Sequence, residues 1–233
     1  MLLFFPHKYI RQVSHEAVYN TVRYVLWRWG RCYFFRVDNG SPFGVPSRQS
    51  LSILHLCLVA HGVNLKLNPP RTPTRNAKVE RNQGTTARWC EPHKCTNFLD
   101  LQEQLNEVVI DQRERFATRV CQGRTRMQAH PSLAKNPARF NSADFDLARV
   151  HRLLARGQWQ RVVSDRGSVV LFDQLYQLTA KNKGKQVTAR FNLRTIHWDF
   201  YDQYGQLLIS LKAKGLSEIE LKIGKSKRKN RRK

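Results

Sequence analysis

Two carboxylates stand out by placement. Asp38 lies in RVDNGSPF, directly after the apolar run CYFF, and Glu80 lies in KVERNQGT, near the start of a stretch with helical character. The 41 residues between them, Asn39 to Val79, contain no Asp or Glu, in a chain with only 17 acidic residues. A hard divalent cation takes oxygen ligands. Carboxylates brought together by a sheet edge and a helix start would hold Mg²⁺ or Mn²⁺ while phosphate oxygens complete the octahedron, which is the chemistry of metal-assisted phosphoryl transfer. Taken alone, Asp38 has a simpler reading: Asp-Asn-Gly is strong turn chemistry, because Asn and Asp tolerate a left-handed backbone and Gly carries no Cβ.

The elements that must position these acids follow from periodicity. Residues 15 to 29, HEAVYNTVRYVLWRW, place Val18, Val22, Val25 and Trp29 at helical spacing and stop at Gly30. CYFFRV reads as a strand ending at the Asp-Asn-Gly. Pro46 and Ser47 offer a helix start, and SRQSLSILHLCLVAHG sets Leu51, Leu54, Leu58 and His61 on one face before Gly62. Strand-like VNLKL follows and is ended by Pro69-Pro70. The order helix, strand, helix, strand is α/β grammar. PPRTPTRN, with three prolines and two arginines, is a loop. NAKVERNQGTTARW reads as the next helix with Asn76 as its cap, and a second helix over about 98–118 carries Leu101, Leu105, Val108, Val109 and Phe116.

Residues 122 to 142 lack periodicity, and from Trp159 the period becomes two. Val169 and Leu171, then Val187, Ala189, Phe191 and Leu193, then Ile196, Trp198 and Phe200 alternate with polar residues, separated by Lys-Asn-Lys-Gly and Asp-Gln-Tyr-Gly turns. Leu207 to Leu211 adds another strand. Several short strands in so little chain predict a small closed barrel, since closure removes exposed edges. The expected division is a catalytic-core segment over 1–121, a linker over 122–158, the barrel over 159–221 and a basic tail over 222–233.

Charge narrows the partners. Lys and Arg total 41 for a net charge of +24, and the last twelve residues, KIGKSKRKNRRK, hold eight basic residues and no acid. The remaining +16 is spread over the rest of the chain. A polyanion is the natural partner, because phosphate contacts release counterions. No apolar run approaches the ~20 residues of a membrane span, and MLLFFPHKYI is too short for a signal-peptide core. Five cysteines, an odd count, fit reduced thiols. Together these predict a cytoplasmic, DNA-associated protein with no membrane partner.

The order Asp-Asn-Gly-Ser-Pro-Phe, a helix ending His-Gly-Val, a strand, Pro-Pro-Arg-Thr-Pro, then Asn-Ala-Lys-Val-Glu-Arg-Asn-Gln-Gly-Thr resembles the second half of the catalytic core of retroviral-type integrases and insertion-sequence transposases. Those are polynucleotidyl transferases with a ribonuclease-H-like fold. The resemblance covers residues 15 to about 120. It implies an α/β, truncated ribonuclease-H-like core, followed by a small all-β, SH3-like barrel similar to the DNA-binding domain of such transposases. It also implies DNA as partner, self-association on DNA, and Mg²⁺ or Mn²⁺ as the cofactor of any activity.

The family uses three acids, and the resemblance makes Asp38 the second and Glu80 the third, both as catalytic residues and as metal ligands. Asn39 and Gly40 would complete the turn holding Asp38. Lys78 and Arg81 would contact phosphate near the scissile bond, Arg71 and Arg75 would steer DNA from the proline loop, and Lys227, Arg228, Lys229, Arg231 and Arg232 would grip phosphates from the tail. The first acid has no counterpart: the only acid before position 38 is Glu16, in the helix ahead of the Asp38 strand. The resemblance therefore implies a chain that begins after the strand bearing the first ligand, with catalysis lost or nearly lost. The alternative is a nonenzymatic, basic nucleic-acid-binding protein in which Asp38 is only a turn residue.

Other motifs carry less. Cys90, His93 and Cys95 supply at most three zinc ligands from one hexapeptide, with no second pair at finger spacing. His55 and His61 read as core or surface partners, and Trp198 and Phe200 as strand core before base-stacking residues. No Gly-x-Ser-x-Gly and no glycine-rich phosphate loop occurs.

Overall fold

Helix α1 (His15–Trp29) precedes strand β1 (Phe34–Val37), the short pair β2 (Gly44–Val45) and β3 (Ser50–Leu51), helix α2 (Ile53–Ala60) and strand β4 (Asn64–Leu67). Helices α3 (Ala77–Cys90), α4 (Phe98–Ile110), α5 (Arg126–Ala129) and α6 (Leu147–Ala155) follow. Strands β5 (Gln158–Val162), β6 (Ser168–Leu171), β7 (Gln174–Gln177), β8 (Gln186–Asn192), β9 (His197–Tyr201) and β10 (Leu207–Lys212) lead to α7 (Glu218–Ile223). The structure is a computed structural model and describes residues 15–37, 43–45, 50–69, 77–134 and 140–223. It is a mixed α/β protein.

Contacts divide the chain into two units, Met1–Arg31 with Pro69–Asn141, and Cys32–Asn68 with Ser142–Lys233. This grouping departs from the expected linear division at 121 and 158. The reason is visible at the end of α2. The Ala60 carbonyl accepts hydrogen bonds from the Asp146 amide (3.0 Å) and from Arg149 Nη1 (3.0 Å), and His61 meets the Phe145 ring edge-on at 5.0 Å. The late segment thus satisfies a helix C-terminus that would otherwise hold orphan carbonyls.

In the second unit α2 is buried almost all round, with Leu54, Leu56, Cys57 and Ala60 at zero exposure, so the single apolar face expected from sequence understates its burial. It packs against α6, through whose Val150 and Leu154 the burial continues, and against α7, where Leu221 is fully enclosed. Ser52 caps α2, its Oγ accepting from the His55 amide. Strands β1 and β4 flank α2 in sequence and pair in parallel, Phe34 to Asn64 through Val37 to Leu67.

The six later strands do not close into the expected barrel. They form an open antiparallel sheet in the order β10-β9-β8-β5 and a separate β6–β7 hairpin. Between β5 and β6 the bridging bond comes from a side chain: Arg161 Nε donates to the Val170 carbonyl at 3.1 Å. The hairpin turn, Phe172-Asp173, holds both residues at positive φ (50° and 62°), the geometry a two-residue hairpin needs. Left-handed backbone costs a non-glycine residue about 1–2 kcal/mol, and burying the Phe172 ring, worth about 1.5–3 kcal/mol, offsets it. That ring is 4% exposed and stacks on Trp198 at 5.6 Å. Trp198 and Phe200 are core residues, as their alternation predicts.

The segment 122–158, expected to be a linker, contains short helical turns, α5 with a Thr125–Gln128 capping box, and the strongly amphipathic α6. Within the first unit, α3 packs on α4. Gln112 Nε2 donates to Thr86 Oγ1 at 3.0 Å, and Thr86 in turn donates to the Asn82 carbonyl at 2.9 Å. Among the described residues, no helix is long and apolar enough to cross a membrane.

Candidate functional site

Asp38 is the residue after Val37, the last of β1, and lies outside the described residues, as do Asn39 and Gly40. What is described is the edge that precedes it. The Asn68 amide, one residue past β4, donates to the Val37 carbonyl at 2.9 Å, so β1 and β4 end side by side at their carboxyl ends. In α/β sheets that edge is where ligands bind.

Glu80 sits in the first turn of α3 and is exposed. It takes part in none of the ion pairs among the described residues. An uncommitted, solvent-facing carboxylate fits the donor type a hard cation takes. Arg81 is exposed beside it, its guanidinium likewise outside those ion pairs, while its carbonyl accepts from Thr85 Oγ1 at 3.0 Å. The buried side of α3 carries Thr86 and Cys90, so the opposite side presents Glu80, Gly84 and Arg88 at successive turns. A Cβ on Gly84 would have nothing within 4 Å, which leaves this face flat at its middle. Lys78 lies on α3, but its side chain is outside the described residues, as are Arg71, Arg75 and the tail residues Lys227, Arg228, Lys229, Arg231 and Arg232.

No protein-family model matches the chain, and no curated protein matches it.

Glu16 is exposed in the first turn of α1, on a helix and not on a strand. Among the described residues no three His, Cys, Asp or Glu side chains gather as a metal site, and the Cys90–His93–Cys95 stretch is part of that result. Cys90 is 2% exposed, and burial, followed by the neighbouring Cys95 thiol, pushes its thiol pKa up, away from the thiolate that metal ligation needs. His55, in the first turn of α2, has its pKa pushed down to about 4 by burial, and its Nδ1 has no hydrogen-bond partner among the described residues. Arg36 and Lys66 stand outside the site residues expected from sequence. Their signal was the period-two alternation within FFRV and NLKL, which places both on the outward face of the β1–β4 pair.

Proposed function

We propose that the chain is a DNA-binding protein of the integrase and transposase type, with a ribonuclease-H-like core segment. The observation that carries this reading is the order of parts. A parallel β1–α2–β4 unit ends with Asp38 next in sequence to β1, and the next helix opens with an uncommitted Glu80, in a chain of net charge +24. Asp38 and Glu80 would hold a divalent cation, which when bound would activate an attacking oxygen and steady the leaving one. Arg81, and Lys78 with it, would hold the phosphate backbone, and the open sheet, the β6–β7 hairpin and the basic tail would supply further phosphate contacts in place of an SH3-like barrel.

The test is Mn²⁺ binding by electron paramagnetic resonance, run beside a strand-transfer assay on labelled DNA ends. The expected result is Mn²⁺ binding that Asp38→Asn and Glu80→Gln each abolish, with salt-sensitive DNA binding and any strand-transfer product lost with either substitution. Strand-transfer product that survives Asp38→Asn would overturn the catalytic role of Asp38. Mn²⁺ binding indifferent to both substitutions would overturn the site and leave a nonenzymatic binder.

A further inference from the structure

We infer that the outward face of the β1–β4 pair is a stacking platform for single-stranded DNA, with Tyr33 and Phe34 as base-stacking residues and Arg36 and Lys66 as phosphate contacts. The inference does not rest on Asp38 or Glu80. Parallel sheets are normally covered on both faces and read as near-continuous apolar runs. This pair instead alternates exposed and half-buried residues along both strands, with Phe34, Arg36, Asn64 and Lys66 outward and Phe35, Val37, Leu65 and Leu67 inward.

Phe34 is 46% exposed and Tyr33 81% exposed, their rings edge-to-face at 6.5 Å. The base of the platform is fixed, because the Tyr33 carbonyl accepts from both the Asn64 amide (3.2 Å) and Asn64 Nδ2 (3.3 Å). Arg36 and Lys66 stand directly opposite each other in the register. Like charges at such a position repel, and neither is used by an ion pair among the described residues.

The charge pattern selects the occupant. An apolar protein surface would bury two unpaired cations, at a cost no packing gain recovers. A second copy of the same face would set cation against cation. A phosphate between Arg36 and Lys66 removes the repulsion, and bases laid on the adjacent rings use the aromatic area, the combination by which unpaired strands are held without sequence preference. Duplex DNA keeps its bases stacked inside and offers the rings nothing.

The experiment measures binding of the full chain to a fluorescent oligo-dT and to a duplex of equal length by anisotropy, with unfolding midpoints confirming that each variant is folded. Tyr33→Ala with Phe34→Leu is expected to weaken oligo-dT binding roughly five- to 100-fold and duplex binding less than about twofold. Arg36→Ala with Lys66→Ala is expected to reduce the slope of log affinity against log salt for oligo-dT by about 0.7, for the one phosphate held between them. Phe98→Ala, at an exposed ring on α4 outside both the β1–β4 pair and the open sheet, is expected to change neither. An iodouracil-substituted oligomer should photo-cross-link to the peptide containing Tyr33 and Phe34. An equal loss on duplex, no loss on oligo-dT, cross-linking only elsewhere, or a fall in molar mass by light scattering in the aromatic variant would each overturn the assignment, the last by making this face a contact between copies.

Discussion

Acidification should weaken the fold through His55 by an amount the structure sets. Burial holds its pKa at about 4 against an ordinary value of 6.5, and its place in the first turn of α2, at the positive end of the helix dipole, acts in the same direction. The group is therefore neutral in the folded state and takes up its proton on unfolding. A depressed folded pKa gives stability that is complete above pH 6.5 and is lost as pH falls toward 4. Linkage makes the loss about 1.4 kcal/mol at pH 5.5 and about 3 kcal/mol at pH 4. Urea unfolding at pH 7.5 and pH 5.5, on wild type and His55→Leu, isolates this contribution. His151, whose pKa is also lowered, by burial opposed by Asp146, is common to both proteins and cancels in the difference. Wild type should lose about 1.4 kcal/mol more than the variant between the two pH values. At pH 7.5 the variant should be no less stable, because it removes a buried Nδ1 that has no partner among the described residues. Equal pH slopes in the two proteins would refute the reasoning, since the imidazole would then be as well hydrated folded as unfolded.

Gly84→Ala should stabilise the chain by about 0.5–1 kcal/mol, since the new methyl meets nothing within 4 Å in a regular helix; a thermal shift assay should show the midpoint rising by a few degrees. Gly167→Ala should do the opposite and cost more than about 1 kcal/mol, because φ is +71° and the methyl would lie 2.7 Å from the Thr179 carbonyl carbon; urea unfolding reads the loss. Tyr176→Phe should cost about 1–3 kcal/mol, as the buried Tyr176 hydroxyl accepts from the Lys214 amide at 2.8 Å and that donor would be orphaned; the unfolding midpoint should fall. With a maleimide under native conditions, Cys95 and Cys121 should label quickly and Cys90 slowly, because burial encloses its thiol and raises its pKa; mass spectrometry of digested peptides reads the order.

The elements with a clean period were legible in the sequence. Residues 15–29, the CYFFRV and VNLKL strands, the helix after Asn76 and the alternating strands around Val187 and Trp198 lie where periodicity sets them. Helix α6 was passed over because LARVHRLLA is short, and its apolar Val150 and Leu154 gain meaning only once α2 and β8 supply something to pack on. Barrel closure failed as an inference because period two fixes which side of a strand is buried but not which strand lies next to it. Arg161 reaching the Val170 carbonyl, in place of a continued ladder, is a fact of one side chain that no alternation encodes. At the candidate site, Glu80 was placed in a first helical turn from its spacing alone. The β1–β4 outward face was missed because Arg36 and Lys66 look like scattered surface charge until parallel register sets them opposite each other.

The bond from Arg149 to the Ala60 carbonyl joins residues 89 positions apart. A ribosome adding roughly 5–20 residues per second needs about 4–18 s to cover that distance. Throughout that interval Ile53–Ala60, apolar at seven of its eight positions, has emerged while the helix that covers it is unmade. The newborn polypeptide therefore passes through a stage in which its greasiest segment is bare. Expression at lower temperature, or with holdase chaperones in excess, should raise the yield of correctly folded protein more than any change of codons downstream of residue 160.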